Sequence, residues 1–170
     1  MYARVTAPPK DKARCKLSVI AEATAAIEEV VDPTKLAPYE KHFHPVPAPG
    51  STVKMTSKRV GQPMHAFTAT PYSEQVIKKG ETDKWDYCLR RLFVLKTTPL
   101  KDAMNSLAPG ATSLLKDLTG SNIPVSQRVK TTKSPREMTV ADWALVLRAF
   151  NNWPFKPEEL MIGDAFKELD

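Results

Sequence analysis

The sequence predicts an α+β chain in which a proline-rich, β-like first part, residues 1–75, precedes an all-helical second part, residues 80–170. Seven prolines fall between residues 33 and 71, a density that excludes a long helix from that region. Beyond residue 80, apolar side chains recur at three- and four-residue spacing, the pattern of a helix with one buried face. A content of 42% hydrophobic residues is sufficient for a packed core.

One helix and one strand are expected before the prolines accumulate. Residues 14–27, RCKLSVIAEATAAI, place Leu17 and Ile20 on one helical face among strong helix formers. Residues 27–31, IEEVV, are short and rich in β-branched side chains, which favours a strand. Asp32-Pro33 is expected to end that strand.

Two further extended segments are expected within the proline-rich stretch, at Thr52–Lys58 and Met64–Thr70. In the second of them, His65, Phe67 and Ala69 face one way and their neighbours face the other. One helix and two or three short strands bury too little apolar surface to fold alone. The first part is therefore expected to be the end of a sheet whose other strands are not in this chain.

The second part is expected to form four or five helices. Thr139 and Asp142 have the spacing of a capping box at the start of one of them. Pro157 is expected to start the last helix, because proline suits the first turn and the two glutamates after it suit the helix N-terminus. Trp143 and Trp153 are expected in the core. The apolar stripes are, in order, Trp85–Phe93, Leu100–Leu107, Ala111–Leu118, Trp143–Phe150 and Leu160–Leu169.

The net charge of +6 is concentrated in the first hundred residues. These hold 16 Lys and Arg against 10 Asp and Glu, a difference of +6, whereas residues 101–170 hold 9 of each kind. An anionic partner is indicated, and nucleic acid is favoured over a membrane because no strongly apolar helix face accompanies the charge. An ordinary solvated basic surface is the alternative that composition leaves open.

The two cysteines and the absence of a recognisable signal indicate a reducing compartment. Cys15 and Cys88 lie in apolar sequence and are expected to be reduced thiols. No apolar run approaches the ~18 residues that a membrane span needs. The first twenty residues mix Lys, Arg, Asp and Pro, which fits neither a secretory signal nor a cleavable mitochondrial presequence.

No metal or catalytic centre is indicated by the sequence. His42 and His44 would project to one side of an extended segment with His65 as a third candidate, but Glu40 alone is a poor fourth ligand. Loop histidines are the favoured interpretation. None of the six glycines lies in a phosphate- or cofactor-binding pattern, and no serine lies in a hydrolase elbow.

Three basic clusters are candidate contacts to nucleic-acid phosphates, which require charge and reach rather than fixed geometry. The first flanks the predicted helix at 14–27, the second lies with Lys96 on the helix that begins near Trp85, and the third lies in a Ser/Thr-rich linker. A solvated face is the alternative for each cluster. The candidates are Lys12, Arg14, Lys16, Arg90, Arg91, Arg128, Lys130, Lys133 and Arg136.

Several short stretches resemble the ribosomal RNA adenine dimethyltransferases, specifically the mitochondrial transcription factor B branch and its fungal members. Residues 14–21, RCKLSVIA, are similar to the Arg-x-x-Leu-Ser-Val-x-Ala-Gln helix of that family, although Glu22 stands in place of the glutamine. Residues 43–47, FHPVP, resemble its Phe-x-Pro-x-Pro motif. Trp85–Leu107 and Ala149–Ile162 resemble the first helices and the closing signature of its C-terminal domain.

The resemblance implies that residues 1–75 are the last helix and strands of a Rossmann-like methyltransferase sheet and that residues 80–170 are the small all-α C-terminal domain. It also implies that the chain is a fragment, because the cofactor loop and the Asn-Leu-Pro-Tyr-type catalytic motif of the family lie upstream of the matched region and neither occurs here. We therefore expect this chain to bind no S-adenosylmethionine and to be inactive alone. Phe43 is the candidate for stacking on a flipped-out adenine, although residues 48–64 replace the Val-Asp-Ser that usually follows.

Two functions are implied for full-length relatives. One is assistance to mitochondrial RNA polymerase at promoters, with DNA held in a basic cleft, and the other is transfer of methyl groups from S-adenosylmethionine to adenine N6 in small-subunit rRNA. The divergence after Phe43 favours transcription. A helical scaffold that binds RNA by charge alone is a third alternative. The expected partners are promoter DNA or rRNA and the polymerase, without a membrane, and the expected location is the mitochondrial matrix.

Overall fold

The computed structural model describes residues 1–36 and 65–160 of the chain. The chain divides into two compact units: of the described residues, the larger holds residue 1, residues 3–25 and residues 71–160, and the smaller holds residue 2, residues 26–36 and residues 65–70. The sequence predictions at Phe43, His42, His44 and Thr52–Lys58 lie outside the described residues.

The larger unit is built from helices that pack around one core. α2 packs against both α3 and α6, and α3 also packs against α6. Residues 3–25, which the proline content assigned to the first part, therefore group with the helical part. Within the described residues the α-helices are α1 (Tyr2–Val5), α2 (Lys16–Thr24), α3 (Thr82–Val94), α4 (Leu100–Ala103), α5 (Leu115–Thr119) and α6 (Val140–Asn152), and 3₁₀ turns span Pro33–Leu36, Met104–Ser106, Ala111–Leu114, Val125–Gln127 and Pro135–Glu137.

The core contains the predicted apolar stripes around Trp85–Phe93 and Trp143–Phe150, but the face predicted for α2 is wrong, because Leu17 is 42% exposed whereas Val19 and Ala23 are buried. Val19 of α2, Leu89 of α3 and Trp143 of α6 are each 0% exposed. Phe93 stacks on Trp143 with 5.5 Å between ring centroids, and Trp153 is buried as expected. Each fully buried side chain of this size stabilises the fold by about 1.5–3 kcal/mol relative to an exposed one.

The start of α6 confirms the predicted capping box. The Thr139 hydroxyl accepts from the amide of Asp142 at 3.2 Å, and the Asp142 carboxylate accepts from the amide of Thr139 at 3.0 Å. The prediction of a helix starting at Pro157 is wrong for residues 157–160, which are not helical. The remaining residues of that predicted helix lie outside the described part of the chain.

A two-stranded sheet is formed by β1 (Ala25–Val31) and β2 (Ala66–Pro71), and all of its residues except Ala25 and Pro71 belong to the smaller unit. β1 begins two residues before the predicted strand, because α2 ends already at Thr24. The alternation predicted around β2 is confirmed on one face, where His65 and Phe67 both lie against the Tyr2 ring. Their ring centroids are 4.5 and 5.8 Å from that of Tyr2. Among the described strand residues none is buried, as expected for a short sheet with few residues packed against its faces.

Candidate nucleic-acid interface

A cleft of about 450 Å³ opens in the larger unit beside the N-terminus of α2 and the C-terminus of α3. Basic side chains form its rim, and the side chains of α3 contribute apolar surface. We call it the cationic cleft. It is lined by Arg4, Lys12, Ala13, Arg14, Cys15, Phe93, Val94 and Lys96.

Backbone hydrogen bonds join the three chain segments that surround the cleft. The amide of Lys10 donates to the carbonyl of Arg136 at 3.0 Å, and the amide of Arg136 donates to the carbonyl of Lys96 at 3.2 Å. Lys10 adopts a φ of 77°, in the left-handed region, and the Asp11 carboxylate accepts from the amide of Ala13 at 2.6 Å. The loop before α2 is thus held in one conformation, which fixes the positions from which its lysines extend.

Arg14 is a buried residue with a structural role, and its side chain does not extend into solvent as a predicted phosphate contact would. The residue is 1% exposed, and its guanidinium donates to the carbonyl of Ala7 at 2.8 Å, to the carboxylate of Glu22 at 2.8 Å and to the carbonyl of Met138 at 3.1 Å. A basic residue in a charged stretch normally extends into water, but here buried carbonyls require a donor with the fork geometry of arginine.

The rim of the cleft carries three exposed cations, those of Arg4, Lys12 and Lys96. Among residues 1–36 and 65–160, no carboxylate lies within ion-pair distance of any of them. Like charges gathered around a concave surface with a low-dielectric wall concentrate the positive potential there. Such an arrangement favours anionic over cationic ligands.

Cys15 contributes the thiol of the cleft and differs from the second cysteine. It occupies the N-cap position of α2 and is partly exposed. Burial raises the pKa of the Cys15 thiol, but hydrogen bonds from Ser18 and the amide of Leu17, with the charge of Arg4, outweigh it and lower the pKa overall. Cys88 is fully buried, and that burial raises the pKa of its thiol. Both cysteines are free, as predicted.

The remaining helix candidates form other interactions. Lys16 pairs with Asp86 of α3 at 2.5 Å, and Arg90 lies 3.5 Å from the same carboxylate. Arg90 also donates to the carbonyl of Leu160 at 2.8 Å. Arg91 is exposed and lies 5.5 Å from the Tyr87 ring centroid. Arg90 and Arg91 line a separate cleft of about 540 Å³, so the sequence cluster that grouped them with Lys96 is divided between two surfaces.

The side chains of the linker candidates Arg128 and Lys133 have different partners. Arg128 donates to the carbonyls of Ile123 and Ser121 at 2.8 and 3.0 Å and so stabilises its own loop. Lys133 pairs with Asp142 at 2.7 Å. Lys130 is exposed, and Arg136 is half-buried beside the cationic cleft through its backbone bond to Lys96.

Sequence reasoning missed Arg4 and did not select Lys96 for the site. Arg4 stands alone in the sequence, ten residues before Arg14, and no spacing relates it to Lys96. Only the fold joins them, because α2 packs on α3 and places the loop before α2 beside the end of α3. Lys12 is the predicted candidate that this cleft retains as an exposed cation.

His65, the third histidine considered as a metal ligand, makes contacts within the protein. Its Nδ1 lies 2.5 Å from the Glu29 carboxylate, and its ring stacks on Tyr2. Within residues 1–36 and 65–160, no group of three His, Cys, Asp or Glu side chains has an arrangement that would hold a metal ion. The described helices also include none long and apolar enough to cross a lipid bilayer.

The fold of the chain is similar to about half of one solved enzyme structure. The solved structure of a dimethyladenosine transferase from Plasmodium falciparum superposes with a TM-score of 0.55 at 15% sequence identity, covering 88% of this chain and 54% of that one. No family model matches the sequence. At this identity the likeness defines the fold alone.

Sequence comparison defines the relatives more closely. The chain is 30% identical over 109 residues to mitochondrial transcription factor 1 of Lachancea kluyveri, covering 64% of this chain and 29% of the relative. It is 27% identical over 164 residues to the protein of that name in Saccharomyces paradoxus, covering 93% of this chain and 44% of the relative. The chain is a homologue of these yeast proteins, as its sequence predicted, and spans less than half of their length.

Proposed function

We propose that this chain binds nucleic-acid backbone as part of a mitochondrial transcription initiation factor, holding promoter DNA for mitochondrial RNA polymerase in the matrix. The observation that carries the proposal is the cationic cleft, in which Arg4, Lys12 and Lys96 are exposed without a carboxylate partner among the described residues. The name of the yeast relatives, mitochondrial transcription factor 1, supports the assignment to transcription.

Electrostatics explains why such a cleft would bind DNA. Double-stranded DNA presents one negative charge about every 1.7 Å along its axis and holds condensed counterions. Each lysine or arginine that contacts a phosphate releases part of that counterion atmosphere, so affinity decreases steeply with salt concentration. Contacts of this kind position a duplex or single strand without reading its sequence. Specificity for a promoter would have to come from other parts of the assembly.

The described residues do not fit S-adenosylmethionine, the cofactor that the fold implies in full-length enzymes. The sulfonium of that cofactor is positively charged, whereas both clefts beside the end of α3 carry exposed cationic side chains, among them Lys12 and Arg91. None of the six glycines forms a cofactor loop in the sequence.

Charge removal at the cleft tests the proposal. The triple variant Arg4→Ala, Lys12→Ala, Lys96→Ala is compared with a control, Lys79→Ala, Lys101→Ala, Lys116→Ala, which removes the same charge from exposed positions elsewhere. Each phosphate contact contributes about 0.7–0.9 to the steepness of log affinity plotted against log salt concentration. We therefore expect the plot for the cleft variant, which lacks three contacts, to be less steep by about 2–3. The control should keep the slope of the unmodified chain.

Fluorescence anisotropy with a labelled single strand and a labelled duplex, titrated at two or more salt concentrations, provides the measurement. An equal loss in both triple variants would show that binding follows net charge alone. An unchanged slope in the cleft variant would refute the assignment of this surface to phosphates.

Ribosomal RNA is the alternative ligand, favoured by the fold shared with a dimethyladenosine transferase. The same anisotropy assay with a structured rRNA fragment separates the two candidates. Tighter binding to RNA than to promoter DNA of equal length and charge would favour the rRNA function. Calorimetry with S-adenosylmethionine adds an independent check, because saturable binding would contradict our expectation that this chain is inactive alone.

A further inference from the structure

The position of Cys15 suggests a function beyond helix capping. Its thiol lies in the lining of the cationic cleft and is partly exposed, at the N-cap of the nine-residue helix α2. The basic side chains that line the cleft with it are Arg4, Lys12, Arg14 and Lys96. Arg14 is paired with the Glu22 carboxylate at 2.8 Å, and the charge of Arg4 contributes to the lowered pKa of the Cys15 thiol. Nearby cations and a helix N-terminus increase the thiolate fraction of a cysteine, and the thiolate is the nucleophilic form.

A second observation at the same place indicates an anionic ligand. The side chain of Arg14 is 0% exposed and lines the cleft beside Cys15, and its Nε has no hydrogen-bond partner among the described residues. A buried guanidinium nitrogen without an acceptor is costly, and an oxyanion in the cleft would provide one.

We propose that Cys15 is a site of mixed-disulfide formation with anionic disulfides of the glutathione class, and that the adduct closes the cationic cleft to phosphates. The regulatory half of this inference rests on the proposed function of the cleft. The glutathionyl group carries two carboxylates and one ammonium, and its negative charges match the cations on the rim. A cleft of about 450 Å³ is large enough to hold a group of that size.

The reaction is a thiol–disulfide exchange in which glutathione disulfide is itself the oxidant. The Cys15 Sγ thiolate attacks one sulfur of glutathione disulfide, forming the new S–S bond as the old one breaks. The departing glutathione leaves as a thiolate and takes up the proton that Cys15 lost. Reduced glutathione or thioredoxin-type dithiols reverse the exchange by the same route.

Cys88 provides an internal control for the chemistry. It is 0% exposed within the core, and the pKa of its thiol is raised by burial, so it reacts only when the chain unfolds. An adduct at Cys15 alone would thus indicate a reactive site in the folded chain, whereas adducts at both cysteines would indicate unfolded protein.

The test is intact-mass spectrometry of the whole chain after incubation with glutathione disulfide, followed by peptide mapping. We expect one adduct, at Cys15, which is absent in Cys15→Ser and retained in Cys88→Ala. The rate should exceed that with cystamine, a cationic disulfide, by about fivefold or more, because the rim cations attract one reagent and repel the other. The Arg4→Ala, Lys12→Ala, Lys96→Ala variant should lose that preference.

Four outcomes decide the inference. Reaction at Cys15 with the charge preference, together with weaker anisotropy-measured DNA binding by the adduct than by Cys15→Ser, would support both halves. Reaction with the preference but without an effect on DNA binding would retain the modification site and reject the regulation. Equal rates for the two disulfides would reject the anionic selectivity, and no adduct at Cys15 in folded protein would overturn the proposal. Failure of the proposed function shows separately, as an unchanged salt slope in the triple variant.

Discussion

The guanidinium of Arg14 donates a hydrogen bond to the carbonyl of Met138, a residue 124 positions away in the sequence. The same side chain also donates to the carbonyl of Ala7 at 2.8 Å. Met138 precedes the N-cap of α6, and Ala7 lies in the loop before α2. One buried arginine therefore joins the loop that carries Lys12 to the helical core, and the shape of the cationic cleft depends on it.

Replacement of Arg14 should destabilise the chain more than replacement of its exposed neighbour. Arg14→Met removes a charged donor from buried carbonyls and leaves them unsatisfied, so we expect the free energy of unfolding to decrease by about 3 kcal/mol. Lys12→Met, two residues away and exposed, should change it by less than about 0.5 kcal/mol. Urea denaturation followed by circular dichroism measures both, and similar values for the two variants would contradict the structural role.

The cap of α6 should contribute a measurable part of the stability. Thr139→Ala removes the acceptor of the Asp142 amide, and we expect the free energy of unfolding to decrease by about 1 kcal/mol. Thr139→Ser should be close to the unmodified chain.

Lys133 also contacts Asp142, at 2.7 Å, but 33% of its side chain is exposed. A double-mutant cycle between Lys133 and Asp142 should therefore give a coupling energy of about 0.2–1 kcal/mol. A larger coupling would show that the ion pair, and not the cap, holds this helix start.

Local patterns predicted α3 and α6 and their buried faces, because those features depend on neighbours in the sequence. The stripe through Trp143 and the capping box at Thr139 need only three- and four-residue spacing, and both were confirmed. The alternation at His65 and Phe67 likewise follows from strand geometry. These are the parts of the fold that one chain segment determines by itself.

The contacts and burial of the basic side chains were not predicted, because they depend on residues far away in the sequence. Lys16 was expected to contact phosphate but pairs with Asp86, 70 residues away. Nothing in a run of basic residues distinguishes Arg14, which is buried against carbonyls, from Lys12, which is exposed. Burial of a charge is decided by the acceptors that tertiary packing brings to it, and these are not visible in local composition.

Arg90 should hold the segment after α6 in place, whereas its neighbour Arg91 should not. Arg90 donates to the carbonyl of Leu160 at 2.8 Å, and Arg91 is exposed over the Tyr87 ring. We expect Arg90→Ala to increase hydrogen exchange in peptides covering residues 153–160 by about tenfold, the loss of one charged hydrogen bond. Arg91→Ala is the matched control. Equal exchange in the two variants would contradict the role of Arg90.

Glu137 should make the stability of the chain depend on acid pH. Its carboxylate accepts from the Ser134 amide at 2.8 Å and the Ser134 hydroxyl at 2.9 Å. Those bonds, with smaller effects of Lys10 and Arg136, hold the pKa of Glu137 below its usual value of 4.5. Because the folded pKa is the lower one, the contribution is fully present above pH 4.5 and is lost as pH falls through the folded pKa.

Glu137→Gln tests this pH dependence, because the amide cannot titrate. The difference in urea midpoint between the unmodified chain and the variant should be largest near pH 6 and should shrink as the pH is lowered below 4.5. Glu74→Gln, an exposed site paired with Lys78 only at 4.0 Å, serves as the control and should show little pH-dependent difference. If the difference in urea midpoint for Glu137→Gln stays constant or grows on acidification, the Glu137 carboxylate is not stabilised in the folded state. The turn before α6 would then be held by the backbone hydrogen bond from Arg136 to Lys96.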